Sequence, residues 1–453
     1  MGLLSSIKQA YFKVGIHGAP RGTLLYGVHH MVEAVYMTGL RRKLIAPAQG
    51  RAARVAQLET VRPAAAADNT RKDVLVAFKI TGGIGDHLVA ARYIRDLLAA
   101  AGDFRFDVYS TLPEEAQWIF STFKQLNDCF DAYFSWDVNF SRYPLAMYLS
   151  IVAVVYEKAA DWGEVGKQNK RLQKICKTVS QCWPEIEPYF VYHPLTDAAL
   201  ARKAVFRGMK RHNFVQGISE IDYGGDVFPL AADTKAIEKF GLKGKRYVTI
   251  HNGFDVTQRH LVGKGKRATK CYPHFDKVIA GLRRRLPELY VVQVGATTSE
   301  PIGGVDLSLV GRAVLPETAE ILRNSLLHID NESGLVHLAA CLGVKSCVIF
   351  GPTDPDFFAY EGNINLRAPF CGGCWWVTED WMSTYPRGFG EARCLSEQRP
   401  ATVIEAIASH LTGSGQMRAT ERPWPTLIRG DPPRLVAPAE PLRQISGEWD
   451  AAS

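Results

Sequence analysis

Long apolar runs are what this 453-residue sequence most plainly lacks. A helix that crosses a bilayer needs about 20 consecutive apolar residues, and the least polar stretch, Thr23–Leu40, is interrupted by His29, His30 and Glu33. The first residues also lack the charged, apolar and small-residue layout of a secretory signal. Cysteine is sparse, nine in all, and without a signal this argues for reduced thiols in a cytoplasmic protein rather than a disulfide scaffold. No internal repeat is sustained, which argues against a solenoid. No patch of interleaved basic and aromatic residues recurs, so nucleic acid is not an expected partner.

What is present is ordinary globular composition, 47% hydrophobic and 22% charged, in a chain long enough for two full cores. The excess charge of +8 is local. Residues 1–72 hold 11 of the 54 Lys and Arg but 3 of the 46 Asp and Glu, which leaves 43 of each in the remainder. In this arm Leu24, Val28, Met31, Val32 and Val35 recur at helical spacing ahead of Arg41, Arg42 and Lys43. Either the arm lies as a basic amphipathic segment on an anionic membrane face, or it packs on the body with its charges in water. Residues 412–453 hold six of the 24 prolines and read as a loose or disordered tail.

Between arm and tail the pattern is α/β. "DVLVAFKI" from Asp73 reads as a strand, "TGGIGD" as a glycine-rich turn, and "HLVAARYIRDLLAAAG" as a helix with its stripe at Leu88, Ala91, Ile94, Leu97 and Leu98. "LAMYLSIVAVVY" is too short to span a bilayer and reads as a buried element. A first Rossmann-like domain is expected over 73–235, a linker around "ADTKAIEKFGLKGKR", and a second over 245–411 with strands at "YVTIHNG", "YVVQVGA", "LLHID" and "SCVIF". Two doubly wound domains would face each other across a central cleft.

The densest polar cluster is in "IDNESGLVHLAACLGVKSCVIFGPTDP". Val336, Leu338, Ala339, Ala340 and Leu342 mark a short buried helix that Gly343 should end. Ser333 is its natural N-cap, and Gly334 leaves room at the first-turn amides for an anion. Glu332 stands beside the cap and His337 one turn along. The plainer alternative makes these a cap, a dipole contact and a satisfied core histidine. Across the cleft Gly82, Gly83 and Gly85 permit close backbone approach, while Asp86 is either a helix cap or a general base. "HNGFDVTQRHLVGKGKRATKCYP" adds Thr257, Lys264, Lys266, Arg267, Thr269 and Lys270, a solvated loop or a neutralising wall for a diphosphate.

"GGIGD" after a strand, "ATKCYP", "LVGRAVLPETAEILRNS", "NESGLVHLAACLGV" and "FGPTDP", in that order over roughly 74–410, resemble the bacterial heptosyltransferases of glycosyltransferase family nine, including relatives that act on autotransporter proteins. The resemblance implies a two-domain GT-B fold and an inverting transfer of a sugar from a nucleotide-sugar, ADP-heptose by family, to a lipopolysaccharide-type glycan or a protein. It implies Asp86 as general base and Gly82, Gly83, Gly85, Thr269, Lys270, Glu332, Ser333, Gly334 and His337 as nucleotide-sugar contacts. Glu332 stands where the family has aspartate, and Tyr272 where it has tryptophan. "CGGCWW" with Cys394 resembles the cysteine cluster by which some relatives hold iron. Cys371, Cys374 and Cys394 are then either three packed thiols or part of a structural iron or zinc site that Cys341, Cys347 or a non-thiol group would complete. The transfer itself needs no cofactor. The alternatives are a nucleotide-sugar epimerase of similar fold and a non-catalytic nucleotide-sugar-binding scaffold. An arm on the inner membrane face would suit an acceptor presented there.

Overall fold

The computed structural model describes residues 73–191, 197–254, 262, 267–376, 381–383, 385 and 389–413. The basic arm, the tail beyond 413 and Thr257, Lys264 and Lys266 of the basic loop lie outside the described residues. The described residues up to Ala408 form one compact unit that holds both sheets. A second begins at Ser409, and of it only the end of a helix over Pro400–Thr412 and Gly413 are described.

The first sheet runs in the order β3-β2-β1-β4-β5. Its strands are β1 (Leu75–Ile80), β2 (Arg105–Ser110), β3 (Leu126–Asp131), β4 (Leu145–Leu149) and β5 (Ala153–Val155). All pairs are parallel except β4 with β5. "LAMYLSIVAVVY" is thus a buried hairpin, closed by Ser150 N donating to Val152 O at 2.9 Å. Val76, Phe78 and Ile80 join the main core, while Ala77 packs with Tyr109, Trp136 and Ala146 in a separate cluster. This is how a parallel strand covered on both faces comes to be apolar at every position but Lys79. Phe78 meets Phe106 edge-on at 5.7 Å, and burying each such ring contributes about 1.5–3 kcal/mol.

The second sheet is entirely parallel, in the order β11-β10-β9-β6-β7-β8. It comprises β6 (Tyr247–Ile250), β7 (Tyr290–Gln293), β8 (Leu307–Ser308), β9 (His328–Asn331), β10 (Ser346–Ile349) and β11 (Ile364–Leu366). The sequence pattern predicts four of these six. β8 and β11, at two and three residues, are too short to show a period.

The order of each sheet fixes the place of its ligand crevice. From β1 the chain winds outward to β2 and β3, then returns to β4, and from β6 it winds to β7 and β8, then returns to β9. Open α/β sheets bind ligands beyond the carboxyl ends of the two strands flanking such a reversal. Here those ends lead into Thr81–Gly83 and Ser150 in one sheet, and into His251 and Glu332–Ser333 in the other. Helix α1 (Ile84–Ala101) follows β1, and helix α2 (Gly334–Cys341) follows β9. α2 ends as its sequence predicts, with Gly343 at φ +72°.

Candidate functional site

Asp86 is the third residue of α1, and both its oxygens are engaged. Oδ2 accepts from the backbone N of Gly83 at 3.0 Å, so Asp86 does serve the helix start. Oδ1 accepts from Arg211 Nη2 at 2.5 Å, and the same nitrogen donates to Ser150 O at 3.1 Å. The Arg211 side chain is 3% exposed, against 34% for Asp86. The carboxylate is therefore fixed from behind and open in front, with a lone pair left on each oxygen. Arg211 was not singled out from the sequence, because nothing local in "MKRHNF" distinguishes it from surface charge.

On the opposite wall Ser333 caps α2, accepting from Leu335 N at 3.1 Å and donating to Asp330 Oδ2 at 2.5 Å. Glu332 Oε2 pairs with Lys270 Nζ at 2.6 Å, and Lys270 lies 4.7 Å over the Trp375 ring. His337 Nε2 stands 3.8 Å from Glu332 Oε1, and its Nδ1 is 2.6 Å from Tyr360 Oη. Tyr360 accepts from Arg92 Nη2, also at 2.6 Å. Burial, and then the neighbouring Arg92 and Arg211, push His337 well below the usual imidazole range, so the ring is neutral at pH 7. Because Arg92 donates to Tyr360, the phenolic hydrogen goes to His337 Nδ1 and leaves Nε2–H directed at Glu332. His337 thus ties α2 to Arg92 on α1 as well as facing the cleft.

Several sequence expectations change in detail. Thr269 is buried, and its hydroxyl donates to Trp381 O at 2.7 Å while its N–H reaches Met382 O at 3.0 Å. It is absent from the cleft wall, so its donor does not reach a phosphate there. Arg267 pairs with Glu300 at 2.7 Å. Of the described basic residues in that loop, Lys270 alone lines the cleft. Gly334 and Gly85 also serve each other. A Cβ on Gly334 would lie 3.1 Å from Gly85 N, and one on Gly85 would lie 2.7 Å from His337 Cδ2 and 3.3 Å from Gly334 Cα. The room expected for a ligand in those directions holds the opposite helix. Gly82, at φ +101°, makes the turn before α1.

The two walls enclose a cleft of about 900 Å³, within the range of small-molecule and cofactor sites. Thr81, Asp86, Ser150 and Arg211 line it from the first sheet, and His251, Lys270, Glu332, Ser333 and His337 from the second. Trp118, Trp375, Trp376 and Trp381 add aromatic surface. Besides Arg211, sequence reasoning missed His251 and Ser299, which reach the cleft from β6 and from the loop after β7. In the sequence His251 only marks where a strand passes into the basic loop.

The buried thiol of Cys394 is raised by burial and by its neighbours Cys371 and Cys374, the first also through a hydrogen bond. Proximity is not convergence, however. Among the described residues no three His, Cys, Asp or Glu side chains meet where one ion could touch them all. Three thiols are also one short of a closed tetrahedral set. Among the described residues these donors do not complete a structural iron or zinc site. Among the described residues, no helix is long and apolar enough to cross a membrane.

Residues 261–369 match the family model described as glycosyltransferase family 9 (heptosyltransferase). This segment carries Lys270, Glu332, Ser333 and His337 but not Asp86. No curated protein sequence matches the chain. Among solved structures the chain resembles TibC, an iron-containing dodecameric glycosyltransferase from enterotoxigenic E. coli, at 13% identity over 76% of this chain and 77% of that one, with a TM-score of 0.50. TibC in complex with ADP-D-β-D-heptose gives 14% identity, 76% and 78% coverage and a TM-score of 0.49. E. coli ADP-heptose LPS heptosyltransferase II gives 14%, 75% and 99%, and 0.41. At such identities the first of these likenesses speaks for the fold alone.

Proposed function

We propose that this chain, a glycosyltransferase whose residues 261–369 belong to family 9 (heptosyltransferase), moves a heptose from a nucleotide-activated donor to an acceptor hydroxyl by single displacement, with inversion. The observation that carries the reading is one cleft with complementary walls. A partly open carboxylate, Asp86, faces a helix mouth bearing Ser333, Glu332 and Lys270. Displacement at an anomeric carbon makes two demands. The incoming hydroxyl must lose a proton, and the departing diphosphate must be met by positive charge.

Asp86 supplies the first. Arg211 keeps its carboxylate oriented, and the remaining lone pairs accept the hydroxyl proton as the new carbon–oxygen bond forms. Lys270 and the positive end of the α2 dipole supply the second, since a helix N-terminus and an ammonium stabilise phosphate charge. Glu332 then exchanges its ion pair with Lys270 for hydroxyls of the donor. ADP-heptose is the donor that the family suggests, and the acceptor is a lipopolysaccharide-type glycan or a protein side chain.

Thermal unfolding with ADP, UDP, GDP and their sugar conjugates tests the donor side. A ligand at 100 times its Kd adds about 2.7 kcal/mol of stability. One nucleotide should stabilise selectively, and Glu332→Ala should remove the shift. Asp86→Asn should keep donor binding and lose turnover. If no nucleotide stabilises the chain, the cluster at Ser333 is a helix cap and the transferase reading fails.

A further inference from the structure

The donor-side wall holds a row of three residues that the scheme above leaves without a task. Asp330, fully buried on β9, accepts from His251 Nδ1 at 2.9 Å on Oδ1, and from Ser333 Oγ at 2.5 Å and His328 Nε2 at 3.1 Å on Oδ2. Burial pushes this carboxyl up, but contacts with His251 and then His328 outweigh it and hold the group below its usual range, so it is a carboxylate. His251 Nε2 in turn lies 3.2 Å from Ser299 Oγ. Ser299 and His251 line the cleft, and Asp330 stands behind them.

The surroundings are shaped around this row. A Cβ on Gly253 would fall 2.6 Å from His251 Nε2 and 2.9 Å from Ser299 Oγ, and one on Gly295 would fall 2.8 Å from His251 Cδ2. Any side chain at either position would press on the His251–Ser299 contact. The row also touches the mouth of α2, because Ser333 Oγ is 3.3 Å from His251 Nδ1. An anion at the first turn of α2 therefore lies beside His251, with Ser299 next along the row.

We infer that Ser299, backed by His251 and Asp330, donates the hydrogen bond that receives the leaving diphosphate. The inference rests on the transferase reading. As the bond from the anomeric carbon breaks, its electron pair stays on the diphosphate oxygen, while the acceptor oxygen bonds to the carbon and its proton goes to Asp86. On the donor side no proton changes owner. Asp330 accepts from His251 Nδ1 and fixes the ring, the ring holds Ser299 Oγ at 3.2 Å, and the Ser299 hydroxyl turns toward the oxygen that gains charge. Ser299 is the catalytic residue of the row, and His251 and Asp330 position it.

The free diphosphate carries more negative charge than the intact donor, so such a donor should favour product over substrate. That separates it from a merely structural contact. The test uses the full chain with whichever nucleoside diphosphate stabilises it and the matching nucleotide-sugar, both titrated by calorimetry without acceptor. Ser299→Ala and His251→Gln should each weaken the diphosphate by about tenfold or more and the nucleotide-sugar by less than about twofold. Turnover should drop on the order of 10²-fold, the size of losing one such donor. Equal weakening of both ligands, or of neither, in variants whose thermal midpoint is unchanged overturns the inference and leaves the transferase intact. A wild-type chain that binds neither ligand overturns the transferase reading itself, and this inference with it.

Discussion

Gly85→Ala tests how α1 and α2 come to share one cleft. Gly85 lies in the first turn of α1, and its backbone is not in the left-handed region, so alanine brings no dihedral strain. Helix propensity alone favours the change, by up to about 1 kcal/mol in a helix interior and less in the first turn. The space does not. The new methyl would stand 2.7 Å from His337 Cδ2 and 3.3 Å from the backbone of Gly334, closer than carbon atoms pack. His337 cannot swing aside cheaply, because its Nδ1 is held by Tyr360 at 2.6 Å in a fully buried pair. Overpacking of this kind costs about 1–3 kcal/mol, so the net expectation is a loss of about 1–2 kcal/mol. Gly362 is the control, since a Cβ there meets nothing within 4 Å and φ is not positive. Gly362→Ala should stay within about 0.5 kcal/mol of wild type. Urea denaturation of the three proteins at pH 7.5, followed by nucleotide titration, reads both effects. If Gly85→Ala is as stable as Gly362→Ala, the close abutment of the two helix starts is wrong, and with it the account of why glycine stands at 85 and 334.

The remaining predictions concern the groups that the tertiary structure joins. Arg211→Gln should lower turnover by more than its stability loss accounts for, because the freed carboxylate is 34% exposed and water can re-solvate it, while the buried Arg211 gives up its bond to Ser150 O at a cost of about 1–3 kcal/mol. Steady-state kinetics and thermal unfolding on one preparation check this, and a stability loss with unchanged turnover would remove Arg211 from the site. Tyr360→Phe leaves His337 Nδ1 and Arg92 Nη2 without their buried partner, at a cost of about 1–3 kcal/mol measured by urea midpoint. Stability should also fall with acid. Burial pushes His212 down to about 4 and His337 well below its ordinary value. The unfolded chain therefore binds these protons first. The stabilisation is complete above about pH 6.5 and falls by up to about 1.4 kcal/mol per pH unit for each ring as pH drops, continuing to about 4 for His212. Denaturation at pH 7.5, 6 and 5 should show this slope, and His212→Gln should reduce it. A flat profile would mean that these rings protonate in the folded chain.

Periodicity and turn chemistry made much of the architecture legible. β1, α1, α2 and β10 are long or apolar enough to declare themselves, and Ser333 and Gly343 bracket α2 as cap residues should. The same local reasoning put Asp86 at a helix start and Glu332 beside a cap, and both line the cleft. It failed where the deciding partner is distant in sequence. Arg211 lies 125 residues from Asp86, His251 lies 79 from Asp330, and Tyr360 lies 268 from Arg92. Thr269 misled for the converse reason, because a threonine in a basic stretch looks available until the chain turns it under Trp381.

The sequence by itself determined the longer strands and helices, where α2 begins and ends, and which motifs resemble family nine, since these depend on neighbours within a few residues. The tertiary structure alone decided which polar atoms remain free to act. Parallel winding brings the carboxyl ends of β1 and β4 opposite those of β6 and β9, and only there is each carboxylate, imidazole and hydroxyl either paired or left open to the cleft.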